Sequence, residues 1–286
     1  MRKIIVTIKN IKEIDLYQNA DVYVVANKDY AIKYPASFST CEINEAASYI
    51  HSIGKEIYLS INKVFLNEEI FALEDFLNKI NHTIIDGYLV ADLGAFYLLK
   101  KRGLKDKVIY SPETLIVNYF DMNYCFDLGM KSVVLSKEMT LNDIRTCISK
   151  AKSDVIIYSF GYYHMFYSRR KLIKNYFDQI NDDNKHQNEH LLLKELTRNN
   201  MYHIFQDENG TIICNSDIFT NIDYLNQLDG DYFIDSYDLD ESYVKQIIDI
   251  YSNKIKNGNG SVKDLEKIDH SKTFTTGFLF RKIGVR

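Results

Sequence analysis

Apolar positions along this chain fall into two alternating rhythms. Short dense runs rich in Ile, Val and Tyr stand at residues 3–8 (KIIVTI), 21–26 (DVYVVA), 56–61 (EIYLSI), 87–91 (GYLVA), 107–110 (KVIY), 132–135 (SVVL), 154–158 and 231–235 (DYFID). Runs of β-branched and aromatic residues bounded by turn formers predict strands. Between them, apolar residues recur at helical spacing and predict helices over 40–52, 68–80, 92–101, 114–128, 141–150 and 241–251. Ser39 or Thr40, followed by Glu42, supplies a start signal for the first of these, and Gly54 and Gly129 supply stops. Strands alternating with helices predict an α/β fold with a parallel sheet. Eight such strands fit a (β/α)8 TIM-like barrel, and an open doubly wound sheet is the alternative. Neither G-x-G-x-x-G nor G-x-x-x-x-G-K-[ST] occurs, which weighs against a nucleotide-binding version of the open sheet.

The rhythm breaks after residue 158. Residues 181–189 (NDDNKHQNE) are polar throughout, and 201–205 and 211–215 flank Asp207–Gly210 (DENG). That pattern predicts an antiparallel β-hairpin inserted near residues 201–215. A short helix is expected near 219–228. The predicted organisation is one barrel domain over 1–256, with the insertion at 181–218, and a C-terminal tail, 257–286, packed on the barrel.

Charge and composition narrow the function classes. The net charge of −4 gives no general attraction to nucleic acid or anionic lipid, so a polyanion site has to be a local patch. No apolar run approaches the ~18 residues that span a bilayer. The start, MRKIIVTIKN, reads as a first strand rather than a secretion signal, and the cytoplasm is the expected compartment. The 4 cysteines (Cys41, Cys125, Cys147, Cys214) form no C-x-x-C pair and match no zinc or iron–sulfur spacing. His186 and His190 have i,i+4 spacing without H-E-x-x-H, so no zinc site is expected there.

In barrels, chemistry sits at the C-terminal ends of the strands. Those positions give a polar ring: Asn62 and Lys63, Asp92, Ser111 and Glu113, Ser136, Lys137 and Glu138, Ser159 and His164, Asp235 and Ser236. Glu113, Glu138 and His164 are the candidates for acid–base work. Taken singly, Asp92, Ser111 and Ser136 read equally well as helix caps. Residues 156–177 add a dense group after the seventh strand. Tyr162, Tyr163, Phe166 and Tyr167 offer faces that stack on bases. Arg169, Arg170 and Lys171 stand where a helix begins, against the sense of its dipole. An anionic partner, carboxylate or phosphate, explains that placement, and a solvated helix face is the plain alternative. Ser168 lacks a G-x-S-x-G elbow, which gives a serine hydrolase little support. The substrate-binding candidates are Tyr162, Tyr167, Ser168, Arg169, Arg170, Lys171, Asp92, Ser136 and Asp235.

At this stretch the chain resembles the U32 family, catalogued as collagenase-like peptidases. Gly161, Tyr167-Ser168, Arg170 and Leu172-Ile173 hold positions of the family's strand-end motif. His164, Arg169 and Lys171 depart from it: the first and third replace cysteines and Arg169 replaces a glycine. Ser136-Lys137-Glu138 is similar to the family's Ser-Arg-Glu, residues 194–215 to its Lys-Glu…Asp-Glu-Asn/His-Gly run, and Phe274-Thr275-Thr276-Gly277-Phe278 to its closing motif. The resemblance spans about residues 80–280. It implies the short subgroup without the iron–sulfur cysteines, hence no cofactor, working beside a longer paralogue. Such pairs are implied in tRNA wobble-uridine hydroxylation, and related pairs in quinone-ring hydroxylation. By analogy, a small carboxylate ligand suits paired arginines. A peptidase and a non-catalytic binding barrel remain the alternative functions.

Overall fold

The structure is a computed structural model and describes residues 2–182, 190–197 and 200–281. Seven parallel strands come first, each followed by a helix except the last: β1 (Ile4–Thr7), α1 (Lys12–Leu16), β2 (Val22–Ala26), α2 (Thr40–Ser52), β3 (Glu56–Ile61), α3 (Ile70–Lys79), β4 (Gly87–Val90), α4 (Leu93–Lys101), β5 (Val108–Tyr110), α5 (Tyr119–Asp127), β6 (Ser132–Leu135), α6 (Leu141–Lys150) and β7 (Val155–Gly161). The insertion comprises β8 (His164–Ser168), α7 (Leu172–Gln179), β9 (Leu191–Lys194), β10 (Met201–Asp207) and β11 (Gly210–Cys214). The chain then returns through β12 (Ile218–Thr220) to β13 (Asp231–Ile234), α8 (Glu241–Asn257), α9 (Val262–Glu266) and β14 (Phe274–Thr275).

Strand β13 closes the barrel. It pairs in parallel with β1, Phe233 opposite Ile5, and with β7, Tyr232 opposite Ile157. Eight parallel strands thus form a closed (β/α)8 barrel, as the alternating rhythm predicts. Successive strand residues point to opposite faces, and here both faces are buried. One set, including Ile5, Val24, Tyr58, Leu89, Ile109, Val134 and Ile156, fills the barrel interior. The other, including Val6, Tyr23, Val25, Leu59 and Val90, packs beneath the helices. Burial on both sides is why the strands read as dense apolar runs rather than as alternation.

Local signals set most helix starts. Ser39 caps α2 in a reciprocal capping box with Glu42. The helix expected over 114–128 starts only at Tyr119, because Asn118 accepts from the amides of Phe120 and Asp121 and fixes the start there. The helix expected near 219–228 is instead β12, antiparallel to β7, followed by a 3-10 turn over Ile222–Gln227. The inserted layer is larger than a hairpin: a four-stranded antiparallel sheet ordered β8-β11-β10-β9. Its first strand, His164–Ser168, occupies what reads locally as a strand-to-helix corner. Pairing of β8 with β11, Ser168 opposite Thr211, is long-range and leaves no local period. No helix among the described residues is long and apolar enough to cross a membrane.

Candidate functional site: a charged chamber at the barrel mouth

The rim of the barrel gathers two lysines, two carboxylates, one phenol and one imidazole. Tyr158, on β7, lies at the centre. Lys137, just beyond β6, places Nζ 4.5 Å from the Tyr158 ring centroid, and Lys33, in the loop after β2, places its own at 5.6 Å. These are cation–π distances. Lys33 Nζ pairs with Asp235 Oδ2 at 2.6 Å and donates to the Tyr162 carbonyl. The Tyr158 hydroxyl donates to the same Asp235 oxygen at 3.3 Å. Lys137 pairs with Glu113, and His164 Nε2 lies 3.6 Å from the same Glu113 oxygen. The floor is apolar, with Val24, Leu89, Val134 and Phe233, and Thr7, Ser60, Asn62 and Ser111 complete the wall. Free space among these groups is about 50 Å³, room for a few waters. A larger ligand must displace a lysine from its carboxylate.

The backbone is bent to make this arrangement. Lys33 and Glu113 have φ of 49° and 65°, a left-handed conformation uncommon for side-chain-bearing residues and concentrated at functional sites. Gly161 has φ 129°, and a Cβ there would come within 2.7 Å of the Asp235 carbonyl oxygen and the Tyr158 hydroxyl. Only glycine fits this approach. The insertion holds the Lys33 loop in place. The Asn209 amide donates to the carbonyls of Lys28 and Ala31, and Tyr34 reaches Asp207 at 3.4 Å. The Tyr167 hydroxyl donates to the Asn209 carbonyl at 3.0 Å.

Electrostatics fix the charge states. Burial disfavours the Lys33 ammonium, but Asp235 outweighs it and holds the lysine charged above its ordinary value. Burial pushes Lys137 down; Glu113 opposes that fall and Lys33 adds to it. Burial also works against the Glu113 carboxylate, yet His164, Lys137 and Lys33 beside it hold it down at about 2. Burial pushes His164 down to about 3, against the attraction of Glu113. At neutral pH His164 is therefore an uncharged imidazole. His164 Nδ1 is buried with no hydrogen-bond partner. Tyr158 is pushed well above its ordinary value, by burial first and Asp235 second.

Of the residues singled out by sequence, Asn62, Ser111, Glu113, Lys137 and Asp235 line this chamber, and His164 meets it through Glu113. The others do not line it. Asp92 caps α4 by accepting from Ala95, and Ser136 accepts from the Glu138 amide at 3.1 Å. Glu138 is only partly buried, on the Tyr163 side of the rim. Tyr162 is buried with its ring 4.3 Å from His203, and Tyr167 is turned to the DENG turn. Ser168 accepts from the Arg170 amide at 3.2 Å. Arg169 meets an anion within the chain: it pairs with Glu69 at 2.7 Å, a carboxylate shared with Lys63 at 2.8 Å. Arg170 and Lys171 are exposed at the start of α7. Sequence reasoning missed Lys33 and Tyr158 as site residues. The one signal for Lys33 is a lysine between Ile32 and Tyr34 in an otherwise apolar stretch; Tyr158 reads as an ordinary strand residue. His186 lies outside the described residues.

The two positions at which the resemblance implies cysteines in longer family members hold a histidine and a lysine. His164 is buried in the chamber, Lys171 is exposed, and neither is the thiolate such clusters take.

A closed parallel barrel with buried ion pairs at the C-terminal mouth defines a TIM-barrel protein with a polar site in the position usual for that fold. The profile of Peptidase family U32 matches residues 9–286, and the chain belongs to that family. It is 28% identical over 225 residues to tRNA hydroxylation protein P2 of Bacillus subtilis (strain 168), covering 77% of this chain and 72% of that one. It is 26% identical over 167 residues to tRNA hydroxylation protein P1 of the same bacterium, covering 57% of this chain and 39% of that longer one. Among solved structures, the U32 peptidase Mk0906 superposes with a TM-score of 0.51 at 11% identity, over 82% of this chain and 92% of that one. That likeness concerns the fold.

Proposed function

We propose that this chain takes part in tRNA wobble-uridine hydroxylation, forming 5-hydroxyuridine, as the substrate-holding half of a pair with a longer U32 paralogue in the cytoplasm. The observation that carries this reading is the chamber. Two ammonium groups, Lys33 and Lys137, flank one buried phenol, each matched to a single carboxylate. Lysines in that setting can exchange a protein carboxylate for one on a small ligand. The relatives named for tRNA hydroxylation supply the RNA side of the reading, and the occurrence of P1 and P2 in one bacterium supports a paired arrangement. Met165, Phe166, Leu192, Leu193 and Met201 on the inserted sheet are each at least 40% exposed, an apolar surface that suits a protein partner. Arg170 and Lys171, exposed at the start of α7, give a local basic patch on an acidic chain. In this reading the chain holds no iron–sulfur cluster of its own.

The family's peptidase label favours a second reading, which needs a nucleophile against a base, or a metal with about three ligands. His164 has no nucleophile against it: Nδ1 is unpartnered and Nε2 faces Glu113.

The test is mass spectrometry of tRNA nucleosides from a strain lacking this gene, complemented with the wild-type chain or with Lys33→Met. Loss of 5-hydroxyuridine derivatives on deletion, restored by wild type and not by Lys33→Met, is expected. Unchanged nucleosides on deletion, together with deletion of the longer paralogue, overturn the reading. Cleavage of a peptide library by the purified, metal-supplemented chain would then establish the peptidase.

A further inference from the structure

We propose that His190, His203 and Asp238 form a binding site for one divalent transition-metal ion, on the wall of the cavity that adjoins the barrel mouth across Lys33. This inference stands apart from the RNA reading, because it rests only on the geometry of three side chains.

The fold brings the three together from distant points. His203 lies on β10, His190 immediately precedes β9, and Asp238 follows β13. Antiparallel pairing of β9 with β10 sets Ile204 opposite Leu191, so His190, one residue further out, falls beside Phe205. The His190 ring stacks on Phe205 at 4.4 Å and lies 4.9 Å from the His203 ring. Tyr162 covers the other side of His203 at 4.3 Å. Packed aromatic faces restrict both imidazoles, as a ligand site requires. Asp238 has φ 60°, a left-handed turn that aims its carboxylate back at the histidines.

The donor spacing fits a metal. His203 Nδ1 and His190 Nε2 are 2.8 Å apart, and Asp238 Oδ2 lies 3.4 Å from His190 Nδ1 and 3.6 Å from His203 Nδ1. With metal–ligand bonds of about 2.0–2.2 Å, neighbouring donors are separated by roughly 2.8–3.1 Å in octahedral and roughly 3.3–3.6 Å in tetrahedral geometry. His190 gives one ion a single ring nitrogen, either Nε2, which faces His203, or Nδ1, which faces Asp238. Among the described residues this is the one group of three His, Cys, Asp or Glu side chains with such spacing.

Two imidazoles and one carboxylate select the chemical class. Calcium and magnesium prefer all-oxygen sites, whereas zinc, iron(II), cobalt(II) and nickel(II) accept this donor set. Three protein ligands leave coordination positions open. His190 and Asp238 line a cavity of about 580 Å³ with Lys33, Tyr34, Asp207 and Tyr237. Lys33 and Tyr34 also line the chamber at the mouth, so the two cavities share the lysine that holds Asp235. The second histidine of the group is thirteen residues downstream of His190 on a different strand, a separation that no short motif marks.

The experiment uses the full chain, stripped with chelator and desalted. Zinc(II) and cobalt(II) are titrated by calorimetry, and the cobalt complex is read by its visible d–d absorption. The expected result is one ion per chain. His190→Ala, His203→Ala and Asp238→Asn should each weaken binding by at least the roughly 10–100-fold that loss of an outer-shell partner alone can cost. Cys41→Ser, which removes the exposed thiol, should leave it unchanged. If His203→Ala fails to fold by circular dichroism, the exposed His190 and Asp238 variants decide. Absence of stoichiometric binding to wild type overturns the proposal, and so does one ion bound equally well by the variants.

Discussion

The side-chain amide of Asn209 donates to the main-chain oxygen of Ala31 at 3.1 Å, two residues before Lys33. The same amide reaches the Lys28 oxygen at 2.5 Å, so one buried side chain from the inserted hairpin clamps the loop that carries a chamber lysine. Asn209→Ala leaves both carbonyls without this donor. A lost donor to buried acceptors costs about 1–3 kcal/mol. We expect a fall of that size in urea denaturation, and faster amide exchange confined to the loop around residues 28–34. Loss of stability with no change in exchange there would show that the clamp does not hold Lys33.

That relationship also shows what a sequence discloses and what it hides. The barrel is legible because each of its strands announces itself locally: EIYLSI is a strand from its own composition, and its partner in the sheet is the next such run. Ser39 and Asp92 are caps in sequence and in structure for the same reason. The inserted sheet is half hidden. Its hairpin is visible through DENG, but β8 is bound by residues more than forty positions away and reads locally as a corner. The chamber divides in the same way. Glu113, His164 and Asp235 stand at or near predicted strand ends, where the fold is known to converge. Lys33 comes from a loop whose path depends on Asn62, which accepts from the Ile32 amide at 2.9 Å, on Asn209 and on a positive φ, and residues 31–34 by themselves do not state that path. Arg169 shows the reverse error, since a cation at a helix start has its anion in Glu69, on a segment far from it in sequence.

Acid stability follows from the buried imidazole. His164 sits at about 3 in the fold, against about 6.5 in an unfolded chain. The folded state therefore resists a proton that the unfolded state accepts. This contribution is complete above pH 6.5 and is lost as pH falls from there towards 3. Glu113, held at about 2, adds a second loss beginning only near pH 4, the unfolded carboxylate value. One unshared proton gives a slope of about 1.4 kcal/mol per pH unit. Stability measured by denaturant between pH 7 and 5 should fall more steeply in the wild type than in His164→Asn, where the depressed His82 and His190 leave a smaller slope. Equal slopes in the two proteins would mean that His164 protonates freely in the fold.

The Lys137–Glu113 pair separates a structural role from a functional one. The Lys137 side chain is 5% exposed and that of Glu113 22%. Removing one partner of a buried pair strands the other charge and costs about 3–5 kcal/mol, whereas replacing both by neutral groups is often close to neutral. Lys137→Met should therefore destabilise the chain strongly and raise the Glu113 pKa, and adding Glu113→Gln should restore most of the stability. If the pair exists only to close the barrel mouth, the double variant recovers the modification of tRNA along with its fold. If Lys137 is a counter-ion for a ligand, the double variant folds and does not restore 5-hydroxyuridine in the deletion strain. The second outcome is the one expected. The chamber places that ammonium over Tyr158 beside a second lysine, an arrangement whose mutual repulsion helps push Lys137 down and which packing alone does not call for.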